Sequence, residues 1–306
     1  MSTLHLISET HWDREWHQTF QQFRLRLVHL VDKLLAILAA DPAYRHYMLD
    51  GQTIVLEDYL EVRPERRAEL EAHIRSGRVL IGPWYVLPDL FLVSPEALVR
   101  NLLEGAALCR DFGARMPVGY VPDPFGQIGQ LPQILRGFDI ATAAFRRGLS
   151  AEPAEVWWQS PDGSRVLVSY LRDGYDNAAW APAANPPVFA GEMQRLADSL
   201  RAASGSQHLL MMQGTDHLEP SAATPAALAH CNSAWADDRI LHSTLPQYFA
   251  ALQAELDAGA LNPPTVFGEL RDPRKHHLLP GVLSTRAWIK LRNHASERLL
   301  ERWAEP

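Results

Sequence analysis

The sequence predicts an α/β fold with its strands closed, or nearly closed, into a β/α barrel. Short apolar runs alternate with amphipathic helical stretches along most of the chain, and repeated strand-then-helix units imply a parallel sheet with helical crossovers. Seven or eight such units in roughly 270 residues suit a barrel. No glycine-rich phosphate loop follows the first strand, which removes the usual nucleotide-binding reason for the competing open, doubly wound sheet.

The strand candidates, in order, are residues 4–8, 47–49, 79–82, 118–121, 141–145, 166–171 and 209–212, with 240–241 as a further one. Between them, residues 23–40 carry Leu27, Leu30, Val31, Leu34, Leu35 and Leu38 on a 3.6-residue period. Residues 64–76 form a charged helix closed by Gly77. Ser94 caps another, with Pro95 in its first turn and Gly113 at its end. Residues 192–203, 225–235 and 246–258 complete the helices, and 182–187 is an alanine- and proline-rich loop. Beyond about residue 281 the pattern becomes one long amphipathic helix, 286–303, which stops at Pro306 with nothing to pack on. The reading is therefore a catalytic domain over 1–280 and, over 281–306, the first helix of a helical-bundle domain cut short.

At 306 residues the chain can bury a large core. A net charge of -7 and the lack of a Lys/Arg cluster along one face argue against nucleic acid as a partner. No apolar run approaches the ~20 residues that span a bilayer, and the N-terminus lacks a signal-peptide pattern. Cys109 and Cys231 sit in helical stretches among alanines and leucines and read as buried free thiols. The expected location is the cytoplasm. Association with further copies of the chain is left open.

The chemistry stands just past the strands. After the first come His11 and Asp13, two residues apart in extended chain and so able to aim at one point. Imidazole nitrogen beside carboxylate oxygen suits zinc or a similar divalent ion. Trp12 and Trp16 lie in the same polar stretch, where an exposed indole face can stack on a sugar ring. Later strands end at Asp50-Gly51-Gln52, Pro83-Trp84-Tyr85, Asp123-Pro124-Phe125-Gly126, Arg146-Arg147-Gly148, Asp173-Gly174-Tyr175-Asp176 and Gly214-Thr215-Asp216-His217. Any one aspartate is more often a helix cap, but polar groups at nearly every strand end mark the carboxyl-terminal face of a β/α barrel. Asp123, held between Pro122 and Pro124, suits a nucleophile that must meet a carbon in line. Asp216, beside His217, suits a general acid or base. Two carboxylates flanking a sugar are the usual need of glycoside hydrolysis.

These runs, together with His11-Trp12-Asp13-Arg14-Glu15-Trp16 and Ser284-Thr285-Arg286, resemble glycoside hydrolase family 38 through essentially the whole chain, in order. The family comprises zinc-dependent, retaining α-mannosidases, and its bacterial branch includes mannosylglycerate hydrolases. The resemblance implies an irregular barrel of seven parallel strands followed by helical and β-sandwich domains. It implies one zinc ion held by His11, Asp13 and Asp123, with Asp123 also the nucleophile and Asp216 the acid/base. It implies Trp16 as the aromatic floor under the mannose, and Arg147 and Tyr175 as contacts of nucleophile or substrate. The family's remaining zinc ligand, a histidine in a His-Asp motif of the helical domain, has no counterpart before Pro306. His276 and His277 lie upstream of Ser284, do not match it, and read as loop residues.

The expected activity is hydrolysis of a terminal α-mannosyl residue through a covalent mannosyl-enzyme. Two rivals stand beside it. One is a metal-dependent polysaccharide deacetylase, and the other is an inactive remnant that binds mannosides through Trp16 and Trp84. The motifs choose no aglycone: mannosylglycerate, one mannosyl linkage or an N-glycan fragment all fit.

Overall fold

The computed structural model describes residues 1–150 and 153–304. In chain order the elements are β1 (Thr3–Thr10), α1 (Phe20–Ala40), β2 (Tyr47–Leu49), α2 (Ile54–Leu60), α3 (Arg67–Arg75), β3 (Val79–Leu80), α4 (Pro95–Phe112), β4 (Gly119–Val121), α5 (Leu131–Gly137) and β5 (Thr142–Phe145). There follow β6 (Glu155–Gln159), β7 (Arg165–Tyr170), α6 (Pro186–Arg201), β8 (His208–Gln213), α7 (Thr224–Ala234), β9 (Arg239–His242), α8 (Leu245–Asp257), β10 (Thr265–Phe267), α9 (Gly281–Ser284) and α10 (Ala287–Leu299). All eight strand candidates of the sequence are found. Unforeseen are β6, β10, α2, α5 and α9, each of seven residues or fewer and too short to display a period.

The strands form two five-stranded sheets rather than one continuous ladder. In the first, β1 is central, flanked by β8 along one edge and by β9 and then β2 along the other, all parallel. The β3 strand extends it beyond β2. The second runs β10-β6-β7-β5-β4, parallel except where β6 meets β7. Main-chain contacts outside the strands bridge the two seams. Met116 N–H donates to the Ile81 carbonyl (2.9 Å) next to β3 and β4. Asn177 and Ala178 cover the edge of β8, bonding the main chain of Met212 at 2.7 and 2.9 Å. The two-residue β3 is too short to carry a ladder across to β4.

Both sheets contribute to one interior cluster: Ile7, Met48, Leu210 and Met212 from the first, Tyr120, Ala144 and Leu167 from the second. Helices cover the outside. The alternation along β1 makes the division plain. Leu4 and Leu6 point outward into the cluster of α6 and α7, and both are fully buried, worth roughly 1.5–3 kcal/mol each. Ile7 points inward, and His5, Glu9 and His11 share its parity. The capping of α4 follows the sequence: Ser94 Oγ accepts from Ala97 N–H (3.1 Å), and Gly113 ends the helix at φ 94°. Both cysteines are buried and free. Among the described residues no helix is long and apolar enough to cross a membrane.

Over the expected helical segment, α10 buries none of its residues. Trp288, Leu291, Leu299 and Trp303 face outward, and the segment's attachment to the N-terminus of α4 is polar. Ser94 N–H donates to Glu297 (3.2 Å) and its hydroxyl to Glu301 (2.6 Å), carboxylates favoured at the positive end of a helix. Residues 305 and 306 of the expected segment lie outside the described residues.

Candidate active site

The site grows from the register of β1 against β8. The pairing Ser8–Gln213 continues beyond the ladder as a bridge between His11 and Asp216, so these two residues stand next to each other on adjacent segments. Glu9 in the same register faces Gly214. A Cβ on Gly214 would lie 2.2 Å from both the carbonyl oxygen and a carboxyl oxygen of Glu9, so only glycine fits there.

His11 is buried and its ring is oriented by Asp50 at the end of β2. Its Nδ1 lies 3.0 Å from Asp50 Oδ1, while Asp50 Oδ2 accepts from Trp12 N–H (2.7 Å) and the Gln52 amide (2.8 Å). Asp50 adopts the left-handed backbone (φ 52°), which those bonds stabilise. Burial alone would lower the pKa of His11, but the Asp50 carboxylate outweighs it and raises it to about 10. Asp50 itself is pushed up by burial, against the opposing pull of His11 and of the bonds it accepts. The other ring nitrogen, Nε2, faces Asp13 Oδ1 at 3.7 Å. Burial raises the Asp13 carboxyl to about 6 despite His11 beside it.

Ligand atoms of His11, Asp13 and Asp216 all lie within 4.8 Å of one another. One imidazole and two carboxylates suit a divalent cation, and a histidine whose far nitrogen is tied to a carboxylate is the usual orientation of a metal-bound imidazole. Asp123 lies outside this trio. Its Oδ1 is clamped by Arg147 at 2.7 Å and 3.1 Å, although its charge is felt at His11, Asp13 and Tyr175. Tyr175 joins the parts: its hydroxyl donates to Asp216 Oδ1 (2.9 Å), and its ring packs 5.2 Å from that of His11. Burial and the neighbouring carboxylates raise its pKa, so it remains a donor.

His217 (φ 59°) wedges under the first loop, stacked on Phe23 at 4.1 Å and edge-on to Trp12 at 4.7 Å, with Nε2–H donating to the Asp13 carbonyl (3.1 Å). Burial lowers its pKa to about 4, which keeps it neutral. Arg14 fixes the same loop to α2 through a two-pronged bond to Asp58 (2.7 and 2.8 Å). Trp16 is 63 % exposed, its ring 4.6 Å from that of His17. Trp84 is fully buried, its indole N–H donating to the Tyr120 carbonyl (3.1 Å). The expectation that Trp84 offers a sugar platform is therefore corrected: its face is committed to the core.

Several residues escaped the sequence reading. Asp50 was visible at a strand end but had no assigned partner. Glu9 shares the parity of His11, yet its carboxyl is buried without a hydrogen-bond partner, and burial raises its pKa well above the usual value. His276 does lie in a loop, but its Nδ1 accepts from Arg146 (3.3 Å) at the edge of the site. No local pattern announces that contact across 130 residues.

The Glycosyl hydrolases family 38 N-terminal domain model matches residues 1–269. The chain is 38 % identical, over 99 % of its length and 35 % of the relative's, to a putative mannosylglycerate hydrolase of Halalkalibacterium halodurans. It is 27 % identical to alpha-mannosidase 2C1 of Mus musculus over 55 % of this chain and 17 % of the relative. An alpha-mannosidase structure from Enterococcus faecalis V583 superposes with a TM-score of 0.84 at 33 % identity, covering 88 % of this chain and 31 % of that one. A putative polysaccharide deacetylase structure from Mycobacterium smegmatis, at 13 % identity and a TM-score of 0.54 over 87 % of this chain and 94 % of that one, shares the fold alone. The chain thus spans about a third of the length of the first two bacterial proteins it matches.

Proposed function

This chain belongs to glycosyl hydrolase family 38, and from that premise we propose that its site hydrolyses terminal α-mannosyl residues with retention of configuration, using one zinc ion. The observation that carries the proposal is the His11 ring, tied at Nδ1 to Asp50 and open at Nε2 toward Asp13 and Asp216. We assign His11, Asp13 and Asp123 as the zinc ligands; bound there, zinc would hold sugar hydroxyls and offset charge in the transition state.

The protein's own groups carry the covalent steps. Asp123, aimed by Arg147, attacks the anomeric carbon, and the bond to the leaving oxygen breaks as Asp216 delivers a proton to it. Tyr175 donates to Asp216 Oδ1, which leaves Oδ2 as the oxygen that carries the transferable proton. In the second step Asp216 takes a proton from water, whose oxygen displaces Asp123 from the anomeric carbon. Trp16, exposed beside this loop, is assigned to stack under the sugar. Residues 281–306 are proposed to begin a helical unit, on the strength of the unpacked apolar side chains of α10. The two free, buried cysteines support a cytoplasmic location.

Asp216 is the residue on which the assignment turns, because it lies within reach of both roles. Metal analysis after dialysis against zinc, together with hydrolysis of an aryl α-mannoside, separates them. His11→Ala and Asp13→Ala should lose zinc, whereas Asp216→Asn should keep it and lose turnover. Loss of zinc from Asp216→Asn would make Asp216 a ligand and overturn its role as acid. Zinc and mannoside binding without turnover in the unaltered chain would favour the remnant reading.

A further inference from the structure

We propose that Arg146 selects the aglycone by binding an oxyanion, a carboxylate or a phosphate, carried on the leaving group; this rests on the α-mannosidase reading above. Four carboxylates around it each contact another side chain. Asp123 pairs with Arg147 (2.7 Å), Asp173 with Arg172 (2.8 Å), and Asp272 with Arg274. Asp216 accepts from Tyr175. Arg146 is half-buried, yet among the described residues it has no carboxylate partner. Its side chain meets neutral groups: Nε–H donates to His276 Nδ1 (3.3 Å), and the guanidinium lies over the Tyr175 ring at 5.2 Å. Its terminal Nη1 and Nη2 groups have no acceptor among the described residues. Carboxylates stand in its neighbourhood, since Asp123 and Asp216 act with it on Tyr175, but among the described residues none bonds its terminal groups, which are left to a ligand.

The guanidinium is also held in place in advance. His276 is kept neutral by burial and by Arg146 beside it, and its Nε2–H donates to the Arg172 carbonyl (2.8 Å). That bond presents the Nδ1 lone pair to Arg146. The loop carrying His276 is pinned by Asp272 N–H to the Gly148 carbonyl (3.0 Å). The position fits the leaving-group side of the scissile bond. Tyr175, under the guanidinium, is the residue whose hydroxyl contacts Asp216, the proposed donor of the leaving-group proton. An anion on the aglycone can therefore meet Nη1 and Nη2 in the two-pronged geometry that suits carboxylate and phosphate.

Two measurements test this. In the first, glycerol, glycerate and glycerol phosphate are titrated calorimetrically into the unaltered chain, Arg146→Gln and Arg146→Lys. The expected result is binding of at least one of the two anions about 10- to 100-fold tighter than glycerol, the span of a charge-assisted hydrogen bond. Arg146→Gln should erase that preference and Arg146→Lys should retain part of it. The tighter of the two anions identifies the oxyanion. Equal binding of all three probes, or a preference that survives in Arg146→Gln, overturns the inference.

In the second measurement, kcat/KM is compared for α-mannosides bearing a carboxylate-containing and a neutral aglycone. The ratio should fall about 10- to 100-fold in Arg146→Gln, mostly through KM. An unchanged ratio overturns the role of Arg146 while leaving the mannosidase reading intact. Failure to hydrolyse either substrate counts against the mannosidase reading, and the titration still decides for Arg146.

Discussion

His5 and His11 stand on the same face of β1, one near each end, and they have opposite fates. His5 bonds a hydroxyl and a second imidazole: Nδ1–H donates to Ser243 Oγ (2.8 Å), whose own hydroxyl donates to Gln247 (3.1 Å), and Nε2 accepts from His208 (3.0 Å). Both nitrogens are satisfied, and burial lowers its pKa to about 4. His11 is as well buried, but carboxylates surround it and raise its pKa to about 10. One of its nitrogens is left open toward acidic oxygens. Burial alone therefore does not distinguish a structural histidine from a candidate ligand; the charge of the available acceptors does. The amino end of the strand should tolerate loss of chemistry but not loss of packing, and the carboxyl end the reverse.

The largest expected effect lies at the carboxyl end. Asp123→Asn should lower turnover of an α-mannoside by about a thousandfold or more, as expected for the proposed nucleophile. Asp216→Asn should cost about 10²- to 10⁴-fold, less with a leaving group that needs no proton. Both variants should unfold in urea within about 1 kcal/mol of the unaltered chain, because neither side chain is packed in the core. A variant that loses activity and stability together would break the contrast between the two ends.

Zinc should next stabilise only the carboxyl end. At a free concentration a hundred times its dissociation constant, a bound ion adds about 2.7 kcal/mol. Zinc should therefore raise the denaturation midpoint of the unaltered chain and of His5→Gln, and a chelator should reverse the gain. His11→Ala should show no such response. A zinc-dependent gain that persists in His11→Ala would remove this histidine from the ligand set.

The amino end should reveal itself by pH. His5 has a folded pKa below its unfolded value of 6.5, so the folded chain holds it neutral while the unfolded chain takes up a proton. Its contribution to stability is complete above pH 6.5 and is lost as pH falls from 6.5 toward 4. Over the 1.5 units between pH 6.5 and pH 5 this is about 2 kcal/mol. In His5→Gln the stability difference between pH 7 and pH 5 should shrink by that order. An undiminished difference would mean that other groups carry the acid sensitivity.

The same contrast explains what could be read from the sequence. Spacing in the short segment after β1 placed His11 and Asp13 together, and an N-cap with a terminal glycine bounded α4, because both signals are local. Asp50 and Asp216 reach His11 across 39 and 205 residues through strand register, which no local pattern encodes. The sheet is split for a related reason: β3 has two residues, a length invisible to any count of periodicity. Glu9 was overlooked although it obeys the alternation that picked out its neighbours, since a carboxylate in an apolar run reads as an exception rather than a member of the column.

Trp16 should give the smallest effect on the fold and sharpen the contrast furthest. It shares the loop of His11 and Asp13, but it is 63 % exposed and its ring meets that of His17, itself exposed. Trp12, four residues earlier, is buried between Phe23 and His217. Trp12→Ala should destabilise by about 3–5 kcal/mol, as truncation of a buried aromatic does. Trp16→Ala should change stability by no more than about 0.5 kcal/mol, yet raise KM for an α-mannoside about tenfold, the loss of one ring-stacking contact. Equal KM values in the two proteins would take Trp16 out of the sugar site and leave its exposed face for another partner.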